Sequence, residues 1–496
     1  MATHHGLTPR WPRRPVIYEI NTWVWLHELS RQARRPMTLG EVPGDVWDAL
    51  ASYRFDAVWL MGVWERSPAG LAVSMRNESL LAEFRRLLPD FTAEDNVGSA
   101  YCVKEYAVDA RLGGRQGLAE ARKELAKRGM RLILDFVPNH VAPDHTWAAA
   151  HPEYFIQGNE ADLAEKPGDF VKVGAHVLAC GRDPYFPPWQ DVLQLNAFSP
   201  DLRKAAIETV LSIAQQCDGM RCDMAMLLLN HIFERTWKGR AGPTPQTEYW
   251  REVIGAAKQR YPETLFMAEA YWDLEWELQQ QGFDFCYDKR LYDRLEHDNA
   301  EQVRLHLCAD SSYQERLVRF IENHDEPRAA GTFSPGKARA AAVAVSTLQG
   351  AVLFHDGQLE GRRQRVPVFL RRRPDEPIDE DLQEFYAKLL HALGEEDLRV
   401  GQWLLCESAG WPDNDSHLNI VAWCTAGTRT RHLIAVNLSE RPSQARIRLP
   451  AAMLTDNMVR LTDDFTDTVY ERRTDEIREL GLYVNLEPWA FHVLKC

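Results

Sequence analysis

The sequence contains no hydrophobic run near the ~20 apolar residues needed to span a bilayer, so no membrane partner is expected. It contains no internal repeat and no low-complexity tract. The opening stretch MATHHGLTPRWPRRP is basic but leads into no apolar segment of about 7–15 residues, so a secretory leader is not expected. Cysteine is scarce and unpatterned. The nine cysteines are odd in number, and the close pair Cys217 and Cys222 has no second pair or histidine cluster to complete a zinc site. Reduced, mostly buried thiols and a cytoplasmic protein are the expectation. Basic charge is also in deficit, with 58 Lys and Arg against 72 Asp and Glu, a net charge of −14. An acidic chain repels a phosphate backbone, which argues against nucleic acid as a partner. A neutral sugar is indifferent to that charge, and the acidity serves solubility.

A chain of 496 residues buries a large core without help from disulfides or metal. Short β-rich runs alternate with longer helical stretches. Eight such runs occur, at residues 16–20, 57–61, 131–136, 219–223, 265–269, 283–287, 317–322 and 351–355. Helices are expected at 116–128 and at 200–217, the latter opened by Ser199 or Pro200. Strands separated by helices imply parallel βαβ units, and eight of them imply a closed (β/α)₈ TIM barrel rather than an open sheet. The barrel is expected to occupy residues 14–140 and 197–395. Residues 141–196, rich in Pro, Gly, Trp and Asp, form too long a connection for a plain loop. They read as a small excursion domain after strand 3, walling the barrel mouth, with Trp147, Trp189 and Trp272 as candidate sugar platforms. From 396 to 496 the segments NIVAWCTA, HLIAVNLS, QARIRLPA, MVRLTDD and LYVNLEPWAFHVLK alternate with period two. They predict a C-terminal antiparallel β-sandwich domain.

The strand ends carry the chemistry. The third run ends in Asp135 and continues to His140, the fourth ends in Arg221 and Asp223, the fifth in Glu269, and the seventh continues to His324 and Asp325. In a TIM barrel these ends converge on one mouth. Three carboxylates at one apolar mouth repel one another and destabilise the fold unless they have a use. Glycoside hydrolysis is such a use, because it needs one ionised carboxylate and one protonated carboxylic acid. Retention of configuration would place those two carboxyls about 5–5.5 Å apart. Arg221 lies two residues from Asp223 on the same strand face, where it would hold Asp223 ionised. The apolar neighbours of Glu269 would raise its pKa towards that of a general acid. Taken singly, each residue has an ordinary structural reading. Asp135 would be an ion-pair partner of Arg221, His140 a satisfied core or loop histidine, and Asn323-His324-Asp325 a helix-opening turn. Cys222 points into the barrel wall. The ordered set at successive strand ends is what argues for a site.

The segments DFVPNH, GMRCDMA, MAEA and ENHDE resemble, in order, the four short motifs of the α-amylase family of glycoside hydrolases. The QLN at Gln194 to Asn196 resembles a further motif, and GSAYCVKEYAVDARLGG and LQGAVLFHDGQLEG look like the family's flanking segments. The resemblance implies Asp223 as nucleophile, Glu269 as acid/base and Asp325 as the group that grips the sugar in the −1 subsite. It implies that His140 and His324 bond hydroxyls of that sugar, that Tyr101 stacks beneath it, and that Arg221 positions Asp223. It implies no required cofactor, with calcium at Asn139 as the open question. Two departures stand out: Glu105 where Asp is common, and Ala225-Met226 where starch-cleaving members carry Lys-His. The reading is a retaining hydrolase of α-glucosidic bonds in malto-oligosaccharides or short α-glucosides. The alternatives are glycosyl transfer from the same intermediate and, from the arginines at 362, 363, 365 and 371–373, phosphorolysis. Those arginines read more simply as a solvated basic loop facing an acidic surface. A non-catalytic scaffold is disfavoured because all three carboxylates are present.

Overall fold

A computed structural model describes residues 11–496. The first ten residues of the basic opening stretch lie outside the described residues. Eight parallel strands close into a barrel. They are β1 (Val16–Asn21), β2 (Ala57–Met61), β3 (Arg131–Phe136), β4 (Gly219–Cys222), β5 (Leu265–Ala268), β6 (Phe285–Tyr287), β7 (Leu317–Arg319) and β8 (Ala351–His355). Each pairs with its neighbours in sequence, and β8 closes onto β1. Their residues are buried throughout, as expected of strands covered on both faces. The register sets Arg221 of β4 level with Asp135 of β3 and Met267 of β5. Position along the barrel axis is thereby fixed for the groups that matter below.

The helix after the excursion spans Pro200–Ala214 and opens at Ser199, whose side chain accepts the Leu202 amide, with Pro200 at the first position. The sixth and seventh strands are shorter than the sequence suggests. The seventh leaves the sheet after Arg319, whose buried guanidinium meets Asp288 at 3.1 Å. Beyond that point Glu322 bonds Arg328 at 2.6 Å and accepts the Ala329 amide at 2.8 Å. A carboxylate engaged this way terminates a loop, not a ladder.

The excursion after β3 is a five-stranded sheet. His140–Val141 pairs with Trp189–Gln194, which pairs with His176–Gly181, and the short strands Gln157–Gly158 and Phe170–Val173 flank the last. A second insertion follows β2. In it Trp64–Arg66 and Val103–Val108 form a ribbon around the helices Pro68–Ser74 and Glu78–Leu87. The alternating segments after the barrel form one eight-stranded antiparallel sheet. Its strand Gln402–Ala409 pairs with Ile420–Ala426 through its first half and with Ser443–Arg448 through its second. The sheet therefore curls, and apolar residues from both halves, among them Ala435, Ile447, Leu461 and Val484, share one core. Among the described residues no helix is long and apolar enough to cross a membrane.

Gly350, in the turn into β8, has a φ of +93°. A Cβ there would press on the carbonyl oxygen of Leu317, the first residue of β7. Neither neighbour can move without breaking the barrel ladder. Gly350→Ala is therefore expected to destabilise the fold by about 2 kcal/mol or more, seen as a fall of several degrees in thermal denaturation. An unchanged midpoint would mean the turn is not the constraint described.

Candidate active site

Strand β4 delivers Arg221 to the centre of the barrel, where it is wholly buried. Nη1 donates to Asp223 Oδ1 at 2.7 Å, and Nη2 donates to Glu269 Oε2 at 2.7 Å. Asp325 Oδ2 lies at 4.0 Å and Asp135 Oδ1 at 3.9 Å. The guanidinium is flanked by the rings of Tyr101 and Trp59, with Cζ 5.0 and 5.3 Å from their centres. The expected pairing of Asp135 with Arg221 is thus a loose one. Asp135 instead accepts the Gly62 amide at 3.0 Å, and Arg221 spends its short bonds on Asp223 and Glu269.

Burial pushes the Asp223 carboxyl up, and Arg221 pulls it back only in part. Burial likewise pushes Glu269 up to about 7, against Arg221 and with the nearby charges of Asp223 and Asp325 adding to the rise. Met224 turns the chain just after Asp223. It has φ 42° and ψ 46°, a left-handed conformation that costs a non-glycine residue roughly 1–2 kcal/mol. The turn aims the Met224 amide at Glu269 Oε2, 2.7 Å away. Tyr271 donates its hydroxyl to the other oxygen, Glu269 Oε1, at 2.9 Å. Sequence reasoning passed over Tyr271. Its position two residues beyond Glu269, on the same side of an extended chain, was the available signal.

Asp325 stands at the open side, its side chain 41% exposed. Burial of its surroundings pushes its carboxyl up, but His324 at 2.9 Å more than offsets this and leaves it at about 2. His324 is buried, which alone would lower its pKa. Asp325 and Glu19 on either side raise it well above the usual value, which favours the protonated ring. Its Nδ1 bonds Glu19, and its Nε2 meets both Asp325 and the Tyr101 hydroxyl, the latter at 2.7 Å. Both ring nitrogens are therefore taken by protein groups. His324 thus sits against Asp325 and Tyr101, both of which line the cavity over these groups. Glu19, from the middle of β1, is the partner the strand-end argument could not supply.

A cavity of about 330 Å³ opens over these groups. Asp223, Glu269, Asp325, Tyr101, His140 and Tyr271 line it together with Trp189, Met224 and Phe369. Burial holds the His140 imidazole down to about 4, so it is neutral, and it packs against Trp189 with ring centres 5.3 Å apart. The excursion thus reaches the catalytic mouth through Trp189. Trp147 does not reach it and packs in the excursion's own core with Tyr154. Trp272 sets its edge against Tyr185 of the excursion, ring centres 4.8 Å apart. Asn139 is buried, and its side-chain oxygen accepts from Gln194 Nε2 at 2.9 Å. Its amide nitrogen faces Gln194 Oε1 and His140 Nδ1, each at 3.3 Å. A neutral amide pair without carboxylates does not fit a calcium ion, which takes six to eight oxygen ligands. The arginines of the β8 loop meet acids: Arg365 pairs with Glu83, Arg371 with Glu94, Arg372 with Asp90 and Asp95, and Arg373 with Glu28 and Asp356.

The sequence and the fold were compared with known proteins. The family model described as "Alpha amylase, catalytic domain" matches residues 48–426. Alpha-amylase MalA of Haloarcula japonica is 25% identical over 398 residues, covering 77% of this chain and 49% of that protein. A shorter match, 26% identical over 187 residues, is to the alpha-1,4-glucan:maltose-1-phosphate maltosyltransferase of Rhodospirillum rubrum, covering 36% of this chain and 22% of that protein. The chain spans about half the length of the first curated relatives it matches. The crystal structure of an alpha-amylase from Lactobacillus plantarum shares the fold at a TM-score of 0.68 and 20% identity, covering 98% of this chain and 99% of that one. The family match covers most of the chain, the barrel is closed, and the motif residues meet at one mouth. The chain belongs to the α-amylase family of glycoside hydrolases.

Proposed function

We propose that this protein hydrolyses α-glucosidic bonds at the ends of malto-oligosaccharides or short α-glucosides, with retention of configuration. The observation that carries the reading is the single buried guanidinium of Arg221. It holds Asp223 and Glu269 at 2.7 Å each beneath one cavity, with Glu269 pushed up to about 7. In the first step an Asp223 oxygen attacks the anomeric carbon. The bond to the leaving oxygen breaks, and that oxygen takes the proton from Glu269. In the second step Glu269, now ionised, takes a proton from water, whose oxygen attacks the same carbon and releases Asp223. Asp325, anionic at about 2, would grip hydroxyls and face the positive charge that develops on the ring. The neutral His140 is suited to bond a hydroxyl, and Tyr101 offers a ring face. A volume of about 330 Å³ sits at the low end of the ~300–1,000 Å³ usual for ligand pockets, which favours a chain end over a long glucan.

Glycosyl transfer is the second reading, supported by the maltosyltransferase among the relatives and by the apolar rim of Trp189, Met224 and Phe369, which limits water. Chromatography of products from maltotriose distinguishes the two: glucose and maltose alone mean hydrolysis, and products longer than the substrate mean transfer. The nine unpaired cysteines support a reducing, cytoplasmic setting.

Asp223→Ala is expected to reduce turnover by roughly a thousandfold or more. Glu269→Ala, given α-glucosyl fluoride, is expected to accumulate a glycosyl ester on Asp223, because the fluoride leaves unaided and no base activates water. Mass spectrometry of the digested protein reads the site. A sugar on Asp325 would overturn the assignment.

The alkaline limb of kcat/KM is expected near pH 7, since Glu269 must carry its proton to act and loses it as the pH rises through that value. The Tyr271 hydroxyl donates to Glu269 and so favours the ionised form. Tyr271→Phe is expected to move that limb to higher pH and to slow release of the covalent intermediate. A limb that stays in place would show that Tyr271 only packs.

The protein is further expected to work without calcium, given the amide pairing of Asn139 with Gln194. Excess EDTA should leave both the thermal midpoint and turnover unchanged. A fall in either that calcium restores would refute this.

A further inference from the structure

A second cavity, of about 980 Å³, lies beside the barrel mouth and shares no lining residue with the catalytic one. Its walls come from the helix Thr22–Ala33 and the residues after it, from the β2 insertion and the two residues Arg111 and Leu112 beyond it, and from Arg371 of the β8 loop. Arg31, Arg34, Arg35, Arg111 and Arg371 line it, and Glu94 is the only acid on its wall among the described residues. This concentration of cations occurs on a chain whose net charge is −14. Four of the arginines are paired, three of them at short range with exposed acids, and Arg371 also stands 3.9 Å from the buried Asp95. Arg31 meets Asp375 at 2.8 Å, Arg35 meets Glu41 at 3.0 Å, and Arg371 meets Glu94 at 3.3 Å. These acids are 80%, 46% and 82% exposed, so solvent screens each of these pairs and a stronger anion can compete with them. Arg34 has no ion pair among the described residues. It ends the helix in a left-handed conformation, φ 55°. Arg111 is anchored on the buried Asp109 at 2.7 Å and lies over the Trp23 ring, 4.5 Å from its centre. Burial, then Arg371, Arg372 and Arg31, hold the His27 imidazole below its ordinary value, with Asp95 opposing.

The wall between the two cavities is a short antiparallel bridge. The Val97 amide donates to the Phe369 carbonyl at 2.8 Å, and the Arg371 amide donates to the Asp95 carbonyl at 2.9 Å, with Asn96 opposite Leu370. Phe369 lines the catalytic cavity, whereas Asn96, Val97 and Arg371 line the basic one. Ser99 and Tyr101, further along the same segment, return to the catalytic side.

We infer that the basic cavity binds a small phosphate monoester, and that its occupancy is felt in the catalytic cavity through the bridge of residues 95–97 and 369–371. Guanidinium groups pair with phosphate oxygens through two parallel N–H donors, and several arginines around one space suit a dianion better than a single carboxylate. Leu26, Met37, Val97 and Leu112 supply an apolar floor for the uncharged body of the ligand.

The test uses the full chain and reads binding separately from turnover. Glucose 6-phosphate, inorganic phosphate and glucose are titrated by calorimetry. The double variant Arg34→Asn, Arg35→Gln removes two exposed cations; asparagine tolerates the left-handed position. Glucose 6-phosphate and inorganic phosphate should bind in competition with each other, with affinity falling as salt rises. The variant should bind both roughly tenfold or more weakly while keeping its turnover in the absence of anion. Saturating glucose 6-phosphate should change KM for maltotriose in the native protein and not in the variant. Absence of phosphate binding at millimolar concentration, equal binding by the variant, or an equal effect on KM in both proteins would each overturn the inference. The binding arm stands whether or not maltotriose is the substrate.

Discussion

One buried cation organises the catalytic mouth. Arg221 has no solvent to balance its charge, so carboxylates must, and the barrel supplies them from four strand ends at once. A lone buried guanidinium would cost several kcal/mol, and lone buried carboxylates would cost as much. Neither the arginine nor the acids are tolerable without the other. The closed barrel is what makes the arrangement possible, because only adjacent parallel strands in fixed register bring Asp135, Asp223 and Glu269 around one side chain.

The balance is not complete, and the imbalance is useful. Arg221 faces Asp135, Asp223, Glu269 and Asp325, and His324 faces Glu19 and Asp325. Arg221 is shared among several carboxylates, so it offsets the burial of Asp223 and Glu269 only in part, and both are pushed up. The environment of each carboxyl sets where it titrates. Asp325 is open to solvent and touches His324, which holds it at about 2. Glu269 is buried and shares its cation, which leaves it at about 7. Two carboxylates that differ in role therefore differ in pKa for reasons visible in their neighbours.

Much of this was legible in the sequence because a TIM barrel ties chemistry to strand ends. All eight strands and the convergence of Asp223, Glu269 and Asp325 follow from short apolar runs and the residues that close them. Other parts had no such signal. Glu19 sits inside a strand that reads as a plain core run, and its partner His324 is about three hundred residues away. The segment GSAYCVKEYAVDARLGG was visible in the insertion after β2, but nothing in it signals a cavity shared with the helix Thr22–Ala33 and Arg371, which are distant in sequence. The arginines of the β8 loop were visible as a cluster, but their carboxylate partners are distant in sequence. The left-handed turn at Met224 runs against residue preference and exists because the Met224 amide is needed at Glu269.

The same geometry accounts for how one glutamate can serve as acid and then as base. Before reaction the charge of Asp223 raises the pKa of Glu269, while Arg221 divides its attraction between them. In the mechanism proposed above, an ester between Asp223 and the sugar would remove the charge of Asp223. The repulsion that kept a proton on Glu269 would disappear, and Arg221 could turn its full attraction to the carboxylate that remains. The Met224 amide and Tyr271 hydroxyl already donate to both oxygens of Glu269 and add to the stability of its ionised form. Under that mechanism the pKa of Glu269 would fall on glycosylation, at the step where it would have given up its proton and would accept one from water. The proton inventory of the site would then be set by the covalent state of Asp223, and the shared guanidinium would be the means by which one carboxyl senses the other.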